Sequence, residues 1–312
     1  MSCSKKTEKG VVLNSTVIDT LSFPVEFGGG FITGFEQMDS NKYVFSDFSS
    51  RRVYLFYNED LSQVMRHGNG PGEYTTPYYL TSSASHFAIS DVTNMNLTIY
   101  DKNLNFDRVV THRYGGGRIF IFKSLDEVYI LNTLGGDYLK IVDIEGNEIG
   151  SYITSNPLIT NLVRRIQGGG LLFYNENVML MNSIEPILYV FNTSNYETSK
   201  IYLDGFENYN NSNSDYLNML ESNKIKSSQR DIAIFNGIFE LKIDEISFFG
   251  IKLLHSESSW LFIYDSNYNL KYRYRLSHNL VQTNGKFIYK LIPPESEETP
   301  ALLLKKELIS PS

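Results

Sequence analysis

Apolar and polar residues alternate with a period of two over most of this chain. Runs such as Arg52-Val53-Tyr54-Leu55-Phe56 and Leu97-Thr98-Ile99-Tyr100 put every second side chain on one face, as a half-buried strand requires. Asn, Asp and Gly turns cut the strands apart, and the units they make recur. Tyr43 to Leu61 (YVFSDFSSRRVYLFYNEDL) is echoed by Phe87 to Leu104 (FAISDVTNMNLTIYDKNL): a strand ending in Ser-Asp, a turn, a second alternating strand, then an amide or acidic turn leading to a leucine. One spacing separates both Tyr57 from Tyr100 and Leu61 from Leu104. The unit returns over Glu127 to Gly146, Asn177 to Asn195 and Ile246 to Leu270, with Asp101, Asp143, Asn192 and Asp265 marking the same place in successive copies. Triple-glycine strings at Gly28 to Gly30, Gly115 to Gly117 and Gly168 to Gly170 precede apolar runs that open new units, a second marker of the same period.

A repeat of about 40 to 45 residues holding four short strands is the pattern of propeller blades, whereas helical repeats of that length carry a 3.6-residue period. Blades are expected to open near Phe31, Tyr78, Arg118, Leu171 and Ile238, with a sixth running from about His278 to the C-terminus. The sixth is short of a strand, and Val11 to Leu21 (VVLNSTVIDTL) belongs to no unit. That run is therefore expected to pair into the last blade as its outer strand, closing the ring and covering the sheet edges. The predicted fold class is all-β, a six-bladed β-propeller of four-stranded antiparallel blades over 11–312, preceded by a flexible tether, 1–10. The gap between Asn192 and Asp265 exceeds one period and places an insertion near Asn208 to Arg230, where Ser214 could cap a short helix. Long insertions in compact repeats often lie over a binding face.

Composition sharpens this picture. Tyr 22 and Phe 20, against Pro 9, favour strands. A formal charge of −7 argues against sequence-independent nucleic-acid binding. The single cysteine excludes an intrachain disulfide, no CxxC or HExxH spacing suggests zinc, and no apolar run approaches the roughly 20 residues of a spanning helix. Cys3 follows a small residue, Ser2, and precedes a polar, lysine-rich run, SKKTEKG. It resembles the processed end of a lipoprotein signal and is read as a lipid-attachment site. The competing reading is a cytosolic N-terminus with an unmodified cysteine.

Repeat, tether and the phrase Arg66-His67-Gly68-Asn69-Gly70-Pro71-Gly72-Glu73-Tyr74 together resemble the TolB-like six-bladed propeller lipoproteins of gut-type anaerobic bacteria. The resemblance implies export to the cell envelope, periplasm or outer membrane, with membrane attachment through the lipid alone. It brings no catalytic residues to carry over. The chain departs from a regular member in its fifth unit, with the insertion, and in its third, where Leu131-Asn132 stands in place of Ser-Asp.

Candidate chemistry is sparse. Gly68, Gly70 and Gly72 form a GxGxG string, but Tyr74-Thr75-Thr76-Pro77 follows it, so Gly70, Pro71, Gly72, Glu73 and Tyr74 read as a blade-connecting turn and not a phosphate loop. His67, His86, His112, His255 and His278 show no metal spacing. His67 and His112 lie near blade junctions beside Arg66, Arg108 and Arg113; His67, Arg66, His112 and Arg113 are the candidate binding residues for an anionic or sugar ligand. Asp47 and Asp91 occupy equivalent positions and read as turn-stabilising. Trp260 and most tyrosines read as blade packing. No cofactor is expected, with structural calcium left open. The leading functional reading is a lipid-anchored module that binds a glycan, peptide or envelope protein. The alternative is an envelope hydrolase or lyase acting on saccharide or lactone, with its site on the channel axis.

Overall fold

The structure, a computed structural model, describes residues 10–23, 27, 30–39, 41–83, 85–114, 120–122, 127–155, 168–206, 209, 233–255, 258–276, 280–296 and 299–309. Every element of two or more described residues is a β-strand. The first blade holds Ile32–Asp39, Lys42–Asp47, Arg52–Tyr57 and Asp60–Val64, and the second Pro77–Ser82, His86–Asp91, Asn96–Asp101 and Phe106–Thr111. Phe120–Phe122, Val128–Leu131, Asp137–Val142 and Glu148–Thr154 make the third; Gly170–Tyr174, Asn177–Met181, Ile187–Asn192 and Thr198–Tyr202 make the fourth. The fifth contains Ile234–Ile243, Ile246–Leu254, Ser259–Tyr264 and Leu270–Leu276. Leu280–Asn284, Phe287–Ile292 and Leu302–Ile309 form the sixth, with Asn14–Ser22 as its outer strand. The chain is thus a six-bladed β-propeller with its last blade completed from the N-terminus, as the unclaimed apolar run implied.

Strand burial follows sequence. His86–Asp91 and Lys42–Asp47 are buried at all but their first residue, whereas the outer strand Thr198–Tyr202 is almost wholly exposed. Two-residue hairpins at Asn58-Glu59, Asn175-Glu176 and Asp244-Glu245 place both central residues at positive φ, the geometry whose twist matches flanking strands.

Residue contacts divide the chain into two compact units. The unit of Val17–Arg164 and Asn279–Glu307 is held by three cores. An aromatic cluster of Phe23, Phe27, Phe35, Tyr43, Phe45, Phe56 and Tyr289 joins the sixth blade to the first. Val44, Val53, Tyr74, Leu80, Phe87, Ile89 and Tyr100 join the first to the second. Leu97, Ile99, Val110, Phe120 and Ile130 are among those joining the second to the third. In the other unit, Met1–Thr16, Arg165–His278 and Leu308–Ser312, the fourth and fifth blades share a core that includes Met181, Leu188, Phe206, Phe235, Phe249 and Phe262.

The N-terminal run departs from expectation in one respect. Val11–Val12 pairs in parallel with Leu270–Leu276, giving the fifth blade an additional strand, before Asn14–Ser22 joins the sixth. Leu13 sits between the two, 3% exposed, with its N–H donating to the Arg273 carbonyl at 2.8 Å. The tether with Cys3, the blade openings at Arg118 and His278, Gly28 and Gly29, Gly115 to Gly117, and the Asn208 to Arg230 insertion apart from Tyr209 lie outside the described residues.

Candidate functional site

A strand that ends in Asp or Asn can fold its side chain back onto the next backbone amides. Asp47 accepts from the N–H groups of Ser49 and Ser50 at 2.9 and 3.3 Å, and Asp91 from those of Thr93 and Asn94 at 2.9 and 3.1 Å. Asn132 and Asn182, at the matching strand ends of the third and fourth blades, accept from Leu134 and from Ile184 and Glu185 in the same way. All four are buried. A Cβ on Gly30 would overlap the Asp47 carboxylate, which explains a glycine there. These carboxylates and amides are therefore committed to turns.

Asp91 also ties down the connector between the first two blades, accepting from the amides of Thr75 and Thr76 at 2.5 and 3.3 Å. Within that connector Gly70 to Glu73 follow a type II turn: Pro71 supplies the fixed φ, Gly72 stands at φ 72°, and the Glu73 N–H donates to the Gly70 carbonyl at 3.0 Å. The Glu73 carboxylate folds back to accept from the Gly70 N–H at 2.8 Å. Tyr74 is fully buried, its hydroxyl accepting from the Val53 N–H at 3.0 Å, and desolvation raises its pKa. Arg66–His67 pairs in parallel with Glu73–Tyr74. Every residue of the glycine-rich phrase thus has a place in a rigid, hydrogen-bonded connector.

The connector lies against the flank of the second blade and leaves a cleft on each side. One, of about 520 Å³, is lined by Arg66, Glu73, Tyr100, Asn103 and Phe106 among others. The second, of about 350 Å³, is lined by Asn69, Glu73, Asn94, Asn96 and Phe106 among others. A third, of about 820 Å³, opens between the closing strand and the first blade, with Asp19, Tyr43, Asn58 and Glu59 in its wall.

Among the described residues, no hydrogen bond, ion pair or ring contact joins Arg66 or His67 to His112 or Arg113. Arg66 lines the 520 Å³ cleft; His67 and Arg113 are exposed. His112 is buried, its Nδ1 accepting from the Tyr114 N–H at 3.3 Å, its Nε2 without a partner among the described residues. Burial holds its pKa down to about 4, so the ring is neutral. It lies parallel to the ring of Tyr114, whose hydroxyl donates to Glu148.

A cluster of aromatic rings stands partly in water at one end of the first two blades. Phe31, at 60% exposure, meets Phe48, at 40%, edge to face with ring centres 6.4 Å apart, and Phe48 meets Tyr78 in the same manner at 5.7 Å. Phe31 precedes the inner strand of the first blade, Phe48 lies in its second-to-third strand turn, and Tyr78 opens the inner strand of the second blade, so all three sit at the turn end. The Phe48 N–H donates to the Phe31 carbonyl at 2.9 Å, fixing the pair. Phe48, second in an Asp-Phe-Ser-Ser turn, carries no signal of exposure in the sequence.

Fold and site define a six-bladed propeller with an aromatic patch at one end and a clefted, rigid connector on the flank of a blade. Comparison with protein-family profiles and with curated proteins gives no match. Among solved structures, the chain is similar to a Bacteroides fragilis protein classed as exported, with 13% identity, TM-score 0.61 and 95% of each chain covered. It is also similar to a member of the DUF4221 family from Bacteroides vulgatus, at 10% identity and TM-score 0.60, covering 96% of this chain and 99% of that one. Virginiamycin B lyase from Staphylococcus aureus follows, at 10% identity and TM-score 0.54, covering 95% and 100%. At these identities the likeness is one of fold.

Proposed function

We propose that this chain is an exported propeller of the cell envelope, lipid-anchored at Cys3, that binds a glycan, peptide or envelope protein without transforming it. The observation that carries this reading is the patch of Phe31, Phe48 and Tyr78. Large aromatic rings left in water at one spot and held there by a backbone hydrogen bond are costly to maintain and are the usual anchors of a ligand or partner. The Asx turns beneath make the patch rigid, which lowers the entropy lost on binding. Arg66 and Arg113 supply charge and His67 an exposed imidazole at junction positions, and His112 lies parallel to the Tyr114 ring. The Ser2-Cys3 sequence and the exported Bacteroides fragilis neighbour support the location.

The test is surface-immobilised binding against glycans, peptides and envelope proteins, run beside turnover assays on saccharides and lactones. The expected result is that at least one of these partners binds saturably and binds at least about tenfold more weakly to Phe31→Ala/Phe48→Ala, with an unchanged melting temperature. Turnover of a lactone or saccharide by the wild-type chain would instead establish the hydrolase or lyase alternative.

A further inference from the structure

The 350 Å³ cleft beside the connector has a polar pattern of its own. Asn94 donates through Nδ2 to Asn69 Oδ1 at 3.2 Å, to Thr75 Oγ1 at 2.9 Å and to Asp91 Oδ2 at 3.0 Å. The Thr75 hydroxyl donates to Asn69 Oδ1 at 2.9 Å. This network occupies the Asn69 acceptor and the Asn94 donors. It leaves the Asn69 amide N–H groups and the Asn94 carbonyl oxygen, a donor beside an acceptor, with no partner among the described residues. Glu73 uses Oε2 on the Gly70 N–H and keeps Oε1 unpartnered, while Asn96 Oδ1 is buried with no hydrogen bond. Phe106, 42% exposed, forms an apolar wall.

We infer that this cleft is a binding site for a neutral saccharide, separate from the aromatic patch. A sugar hydroxyl is both donor and acceptor, so neighbouring hydroxyls match the Asn69 donor and the Asn94 acceptor together, and a third satisfies Glu73 Oε1. The C–H face of a pyranose ring covers Phe106, whose π-face carries negative charge. The carboxylates of Glu73 and Asp91 disfavour an anion, and the described residues contain no group of three His, Cys, Asp or Glu side chains able to hold a metal ion. The volume lies at the small end of ligand pockets. The site is built before the ligand arrives: Tyr100 donates its hydroxyl to the Gly72 carbonyl at 3.2 Å, and the type II turn fixes Glu73.

Calorimetric titration of the wild-type chain, Asn94→Ala, Phe106→Ala and Phe31→Ala/Phe48→Ala tests this, using neutral trisaccharides of glucose, mannose and N-acetylglucosamine, a Gly-Ser peptide and calcium chloride. The expected result is saturable binding of at least one trisaccharide, weakened at least about tenfold by Phe106→Ala and by Asn94→Ala and unchanged by Phe31→Ala/Phe48→Ala. Phe106 is exposed, so its truncation reports on the cleft even if Asn94→Ala loosens the turn. Absence of saccharide binding, binding indifferent to Phe106→Ala, or occupation by the peptide or calcium in place of saccharide would each overturn the inference.

Discussion

Asp91 is a single buried side chain that locks a turn and a connector at once, accepting from four backbone amides, those of Thr75, Thr76, Thr93 and Asn94. Asp91→Ala strands those amides and is expected to cost about 3 kcal/mol in urea unfolding. Asn132 teaches the complementary lesson. In sequence the third unit departs from Ser-Asp, yet the amide oxygen of Asn132 makes the same turn that Asp47 makes with a carboxylate oxygen. The equivalence lies in the acceptor and not in the charge, which a search for repeated letters passes over. His112 gives a pH dependence. Its folded pKa of about 4 lies below the ordinary 6.5, so the unfolded chain takes up the proton first as pH falls. The neutral-form stability is complete above about pH 6.5 and is lost through about pH 4, by up to about 3 kcal/mol; His112→Leu should flatten that part of the urea-stability profile.

Among the elements, hairpins and strand edges carry the testable consequences. Glu59 stands at φ 67° in a turn that prefers glycine second, and Glu59→Gly is expected to raise stability by about 0.5–1 kcal/mol, read as a higher melting temperature. The outer strand Asn14–Ser22 is mostly exposed yet caps Leu302–Ile309, so removal of residues 1–22 should bare a paired edge and promote association, visible as a larger species in sedimentation. Blade openings were readable to within a few residues because period-two alternation and Asn or Asp turns are local signals. The split of Val11 to Leu21 between two blades was not, because a two-residue parallel pairing leaves no periodicity and depends on where Leu13 finds a buried site.

For the molecule as a whole, the connector phrase was legible as structure because Pro-Gly in sequence dictates a turn, while Phe31 and Phe48 were invisible among many packed aromatics. Exposure is set by tertiary neighbours, and only the assembled blades reveal which rings remain in water. Lipid attachment is tested by growth with labelled palmitate: label on the wild-type chain, lost in Cys3→Ser, is expected. The central claim is that the chain grips a ligand at the turn end of its first two blades. A crystal structure of the chain with whichever glycan, peptide or envelope protein it binds most tightly tests it most directly. Ligand density packed on Phe31, Phe48 and Tyr78 is the predicted result; a ligand seated on the channel axis and cleaved there, with Phe31 and Phe48 still in water, would contradict the account.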